Sequence, residues 1–95
     1  MSVIVRVPGP LRGYTGGRGE VTIDASPRTV SEALAAVWLL HPALRDRIVA
    51  ENGAVRTHVN IFVGGESIRF TDGLDTPVPE GAEISILPAV SGGRA

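Results

Sequence analysis

The stretch that decides the fold is His58-Val59-Asn60-Ile61-Phe62-Val63-Gly64-Gly65-Glu66-Ser67-Ile68-Arg69-Phe70. In its first six residues the β-branched Val59, Ile61 and Val63 recur at every second position, which reads as a strand. Gly64-Gly65 is the two-residue connection a tight hairpin needs, because glycine enters the φ > 0 region without a Cβ penalty. Ser67 to Phe70 then reads as the return strand. Further on, Glu83-Ile84-Ser85-Ile86-Leu87-Pro88 alternates again and supplies the last strand, reached through the turn-rich segment Thr71 to Gly81.

Toward the N-terminus the same periodicity recurs in Val3-Ile4-Val5-Arg6-Val7 and Glu20-Val21-Thr22-Ile23-Asp24, a hairpin pair across Pro8-Gly9-Pro10 and the flexible, Gly-rich loop Gly13 to Gly19. That loop lacks the Lys-Ser/Thr and following helix of a phosphate loop. Between the two hairpins the period changes to helical: Val30, Ala33, Leu34 and Val37, with Leu40 or Trp38, form one apolar stripe. Thr29-Val30-Ser31-Glu32 matches a capping box. Pro42 ends this helix at or before His41. A short second helix is predicted from Pro42 to Asn52, with Leu44 and Ile48 inward and Asn52-Gly53 as its stop. The predicted fold is α+β: a β-grasp, or ubiquitin-like, roll. A mixed sheet of about five strands packs on one main helix plus a short second helix, with first and last strands adjacent at the centre.

Ninety-five residues make one domain, expected to span 1–90 with 91–95 as a flexible tail. Net charge is −1 and charged residues are only 20%, which argues against a clustered basic nucleic-acid footprint. No apolar run reaches membrane-spanning length, and Met1 to Arg6 lacks the pattern of a signal peptide, so the expectation is no membrane partner and a cytoplasmic location. Cysteine is absent, which removes disulfides, thiolate ligands and cysteine nucleophiles. Lysine is absent too; all nine basic residues are Arg, so the chain cannot accept a lysine isopeptide bond or use a lysine base. His41 and His58 are not grouped with carboxylates at metal-ligand spacing, so no metal site is expected. Asp72 and Asp75 are explained by turn chemistry, Trp38 by helix-edge packing, and no catalytic constellation stands out.

Gly92-Gly93 is one of three Gly-Gly pairs in a chain with 12 glycines, so the pair alone says little. Its position after an apolar strand says more. Two glycines make a thin peptide that can thread a narrow channel to a partner's active site. Ala89 to Gly93 can extend to about 17 Å, at roughly 3.4 Å per residue.

Taken together, residues 58–70, Leu74 and residues 80–93 resemble the ThiS/MoaD sulfur carriers, ubiquitin-like proteins of bacteria. Within that family Val-Asn-Ile-Phe-Val with Ile-Leu-Pro-Ala-Val-Ser-Gly-Gly looks most like the carrier of actinobacterial cysteine synthesis. The resemblance implies a protein co-substrate rather than an enzyme. An E1-like enzyme, using its own ATP and magnesium, would adenylate Gly93, with Gly92 as its slim neighbour. Sulfide or a persulfide would convert it to a thiocarboxylate for a sulfur-accepting synthase in cysteine, molybdopterin, thiamin or similar biosynthesis. No cofactor would be bound by the carrier itself. Arg94-Ala95 departs from the family pattern and implies trimming at the Gly93–Arg94 bond by a JAMM-type zinc metalloprotease, unless the dipeptide is an artificial remnant. Two alternatives stand beside this one: a ubiquitin-like modifier joined through Gly93 to lysines of other proteins, and a β-grasp binding module with a non-functional tail. Strand alternation places Ile4, Phe62 and Leu87 on the sheet face away from the helix, where they are the expected partner-docking patch.

Overall fold

The computed structural model describes residues 2–24 and 26–88. Gly92, Gly93, Arg94 and Ala95, and with them the expected tail 91–95, lie outside the described residues. Five strands, β1 (Val3–Arg6), β2 (Glu20–Ile23), β3 (Val59–Val63), β4 (Glu66–Ser67) and β5 (Glu83–Pro88), form one sheet in the order β2-β1-β5-β3-β4. β1 and β5 run parallel, and every other neighbouring pair is antiparallel. The first and last strands are therefore adjacent, with β5 central, as expected from the element order.

Helices α1 (Val30–Leu40) and α2 (Pro42–Ile48) cover one face of this sheet. Val30, Ala33, Leu34 and Val37 of α1 pack with Leu44 and Ile48 of α2 onto Val3, Val5, Val21, Ile23, Val59, Ile61, Ile84 and Ile86, all buried. Val63, the last residue of β3, is only half-buried. Trp38 is half-buried at the margin, and Leu40 points out. Burying these side chains is the main stabilising contribution, about 1.5–3 kcal/mol for each large aliphatic.

Local rules account for the element ends, with four departures from expectation. Thr29 caps α1, its Oγ1 accepting from the Glu32 amide at 3.2 Å, but the Glu32 carboxylate accepts from the Arg28 amide at 2.8 Å rather than from that of Thr29. α2 stops at Ile48, not Asn52. Val49 turns extended and forms a bridge with Val55, and the Arg56 amide donates to the Ile48 carbonyl. Asn52-Gly53 is thus the tip of a small turn, with Gly53 at φ +86° and its amide bonded to the Ala50 carbonyl, and not a helix stop. The predicted flexible loop Gly13 to Gly19 is instead tied down. Its first two residues end a 3₁₀ turn over Gly9–Tyr14, and buried Thr15 donates from Oγ1 toward the carbonyls of Arg18 (2.7 Å) and Arg12 (3.1 Å).

The fourth departure matters for function. The return strand is only two residues long, and Ile68–Phe70 winds into a 3₁₀ turn started by Ser67, whose Oγ accepts from the Arg69 amide. In a strand Ile68 and Phe70 would share a face. Here Ile68 is 4% exposed and Phe70 is 84% exposed. Gly64 alone of the Gly64-Gly65 pair takes positive φ, +63°, the pattern of a type II′ turn.

Candidate functional site

β5 is the strand that leads to the tail. It is held on both sides, by β1 in parallel register (Val5 to Ile84) and by β3 in antiparallel register (Ile61 to Ile86, Val59 to Pro88). Ile84 and Ile86 are buried, so the strand is anchored through its inward side chains up to the last described residue, Pro88. A small, mostly apolar groove flanks this end, lined by Pro10, Leu11, Arg47, His58, Leu87 and Pro88 among others. Its volume is about 160 Å³, below the ~300–1,000 Å³ of typical small-molecule sites. It suits an inserted side chain better than a nucleotide.

Ile4, Phe62 and Leu87 all lie on the sheet face away from the helices, but they are not equally close. Phe62 stands opposite Ser85 and Leu87 opposite Asn60, so Phe62 and Leu87 are diagonal neighbours, within reach of large side chains. Ile4 lies on the far side of β5, opposite Glu83. Between it and Phe62 stands Ser85, paired on its other side with Arg6. Phe70, which alternation would have turned inward, shares a concavity with Phe62 and joins the aromatic surface. Arg69 fixes this corner: Nε donates to Asn60 Oδ1 at 3.0 Å, and Nη2 donates to the carbonyls of Val59 (3.0 Å) and Thr57 (3.2 Å). The sequence signal that could have revealed Phe70 is the Ser67 cap; alternation pointed the other way.

Beside this apolar half lies a charged one. The Arg6 guanidinium bonds Glu20 at 2.6 Å and Glu83 at 2.8 Å across three adjacent strands. Its hydrogen bond from Arg6 holds the Glu83 carboxyl below the usual glutamate range, and the same contact raises Arg6 above its ordinary value. All three side chains are about half exposed, so solvent screens the attraction and its contribution to stability is small. The outward face thus reads as an aromatic patch on β3, β5 and the 3₁₀ turn, bordered by an ion-paired strip on β2, β1 and β5.

Other candidate residues take structural places. His41 joins α1 to α2 as the shared cap, and His58 is exposed before β3. Asp72 precedes and Asp75 ends the 3₁₀ turn Gly73–Asp75, which Thr76 closes, 6% exposed, its hydroxyl bonded to Thr71 and the Gly73 carbonyl. Among the described residues no group of three His, Cys, Asp or Glu could hold a metal, and no helix is long and apolar enough to cross a membrane.

A β-grasp sheet whose central strand leads toward a Gly-Gly segment defines the ubiquitin-like carrier class. Within it, the ThiS family model matches residues 5–93, and the chain belongs to the ThiS family. The chain is 35% identical over 95 residues to the sulfur carrier protein CysO of Mycobacterium tuberculosis, covering 98% of this chain and all of that one. It is 35% identical over 78 residues to small archaeal modifier protein 1 of Haloferax volcanii, covering 81% and 85%. Among solved structures it is similar to one from the Amycolatopsis orientalis BexX/CysO complex, with a TM-score of 0.83, 36% identity and coverage of 96% and 99%. Proteins of this kind are carriers acted on by partner enzymes rather than enzymes themselves.

Proposed function

We propose that this chain carries sulfur on Gly93. The observation that carries this reading is the extent of the family match, which runs to Gly93 and leaves out Arg94 and Ala95. Removal of that dipeptide by a JAMM-type zinc peptidase exposes the Gly93 carboxylate. A carboxylate is a poor electrophile, because its charge and resonance repel a nucleophile. Attack of its oxygen on the α-phosphorus of ATP releases pyrophosphate and gives an acyl-adenylate. Sulfide, or a persulfide followed by reduction, then displaces AMP and leaves the thiocarboxylate, which a sulfur-accepting synthase consumes in making cysteine, molybdopterin, thiamin or a similar product. ATP and magnesium belong to the activating enzyme.

The apolar patch of Phe62, Phe70 and Leu87 supplies the docking surface for that enzyme and for the synthase, with Ile4 apart from it on β1, beside the ion-paired Arg6 and Glu83. Phe70, exposed on its 3₁₀ turn, and the half-buried Phe62 of β3 are of the aromatic type enriched at interfaces. Likeness to a small archaeal modifier favours a second reading, conjugation of Gly93 to lysines of other proteins. Both routes share the adenylate and diverge at the nucleophile.

Intact-mass analysis of the protein from its native cells tests the reading. The sulfur-loaded form is expected to end at Gly93, with one oxygen exchanged for sulfur. A loaded form that retains Arg94-Ala95 refutes the trimming step, and branched peptides bearing Gly-Gly on target lysines without any thiocarboxylate favour the modifier.

A further inference from the structure

The sheet has a free edge at β2, on the side away from the aromatic patch. The Val7 amide donates to the Gly19 carbonyl at 2.9 Å, and the β1–β2 register continues that pattern to Val5–Val21 and Val3–Ile23. In an antiparallel ladder such closely bonded pairs alternate with pairs that turn away. Glu20 and Thr22 therefore direct their amides and carbonyls outward, over an edge that an added strand would satisfy.

We propose that this edge joins two copies of the chain into a twofold dimer, through antiparallel β2–β2 pairing with Arg18 of each copy opposite Asp24 of the other. The charges choose both the occupant and the register. Pairing Thr22 with Thr22 would place Glu20 opposite Asp24 twice, and like charges directly opposite are destabilising. A shift of one pair puts Glu20 opposite Thr22, with four main-chain hydrogen bonds, and puts Arg18 opposite Asp24 at both ends. Arg18 and Asp24 are exposed and make no ion pair of their own among the described residues. The edge segment is thus complementary to itself when reversed.

The helix side supplies the apolar part. Leu40, 59% exposed at the end of α1, lines one concavity with Arg18, Val21 and Thr22. A twofold axis perpendicular to the sheet keeps both α1 helices on one side, so the two Leu40 side chains approach each other over the junction and cover the paired Val21 residues. β5, which leads to the tail, lies two strands in from this edge, about 10 Å at ~4.8 Å per strand. Both aromatic patches stay open in the dimer.

Sedimentation equilibrium over a range of protein concentrations tests this. A monomer–dimer equilibrium is expected, with exchange of the Thr22 amide slowing as the concentration rises. Arg18→Asp or Asp24→Arg alone is expected to raise the dimer dissociation constant roughly tenfold or more; the double variant R18D/D24R is expected to restore it. Thr22→Pro removes an outward amide, a change edge strands tolerate, and is expected to leave a folded monomer by circular dichroism. If Thr22→Pro does not fold, the charge swap still decides. A chain that stays monomeric, leaving the edge to a strand of another protein, overturns the proposal, as does a dimer indifferent to the charge reversals.

Discussion

Ile68 and Phe70, two residues apart, should respond oppositely to truncation. Ile68→Ala removes three carbons from a site only 4% exposed, packed in the core cluster. Such changes cost about 2–5 kcal/mol, the lost transfer energy plus the cavity left behind. For a domain of this size, where stability is about 5–14 kcal/mol at ~0.05–0.15 kcal/mol per residue, that is a large fraction. At about 4–8 °C per kcal/mol, a 3 kcal/mol loss lowers Tm by about 12–24 °C. Phe70→Ala removes a larger side chain but one that is 84% exposed. It should change stability by no more than about 0.5 kcal/mol. Urea denaturation read by circular dichroism measures both. The reasoning fails if Phe70→Ala destabilises as much as Ile68→Ala, because the segment would then be the regular strand that alternation suggested. A stable, folded Phe70→Ala also allows the docking role to be read separately, as weaker binding to the activating enzyme by about 2 kcal/mol or more if Phe70 is an interface anchor.

Three further outcomes follow. Phe62→Asp, at a half-buried position on the outward face, is expected to weaken capture by the activating enzyme while the chain stays folded by circular dichroism; unchanged capture counts against the patch. Gly64→Ala should cost about 1–2 kcal/mol more than Gly65→Ala, because Gly64 sits at φ +63° and Gly65 does not, although neither Cβ would meet an obstacle. Equal costs would rule out the II′ turn. Glu83 has a folded pKa held below its unfolded value by Arg6, so its contribution is present above the unfolded value and disappears as pH falls through the lowered folded one. Glu83→Gln should therefore flatten part of the acid limb of the stability curve, below the ordinary glutamate range, and a superimposable acid limb would contradict this.

The strands and the main helix were legible because each has one buried face, and burial imposes a period on the sequence: two in Glu83 to Pro88, three to four in Val30 to Val37. The β1–β5 adjacency was legible from the element order. Tertiary context decided the rest. Val49 left its helix because extended pairing with Val55 buries it and supplies the Ile48 carbonyl with the Arg56 amide, contacts that helix propensity does not encode. The return strand was drawn too long, to Phe70, because period-two reasoning assumes the strand continues, whereas the Ser67 hydroxyl starts a 3₁₀ turn one residue later. Ile4, Phe62 and Leu87 were rightly given to one face, but strand order, which separates Ile4 from Phe62 by the whole of β5, emerges only from pairing. Gly92 and Gly93 are the reverse case: they lie outside the described residues, and their reading rests on sequence and family.

The most direct test of the central claim is a reconstitution with the activating enzyme, ATP and a sulfide source, read by intact mass. A chain ending at Gly93 is expected to exchange one oxygen for sulfur. The full chain ending Arg94-Ala95 is expected to stay unloaded until the dipeptide is removed. Loading of the full chain with Arg94-Ala95 still attached, or failure of the Gly93-terminated chain to load, would contradict the assignment of Gly93 as the sulfur-carrying residue.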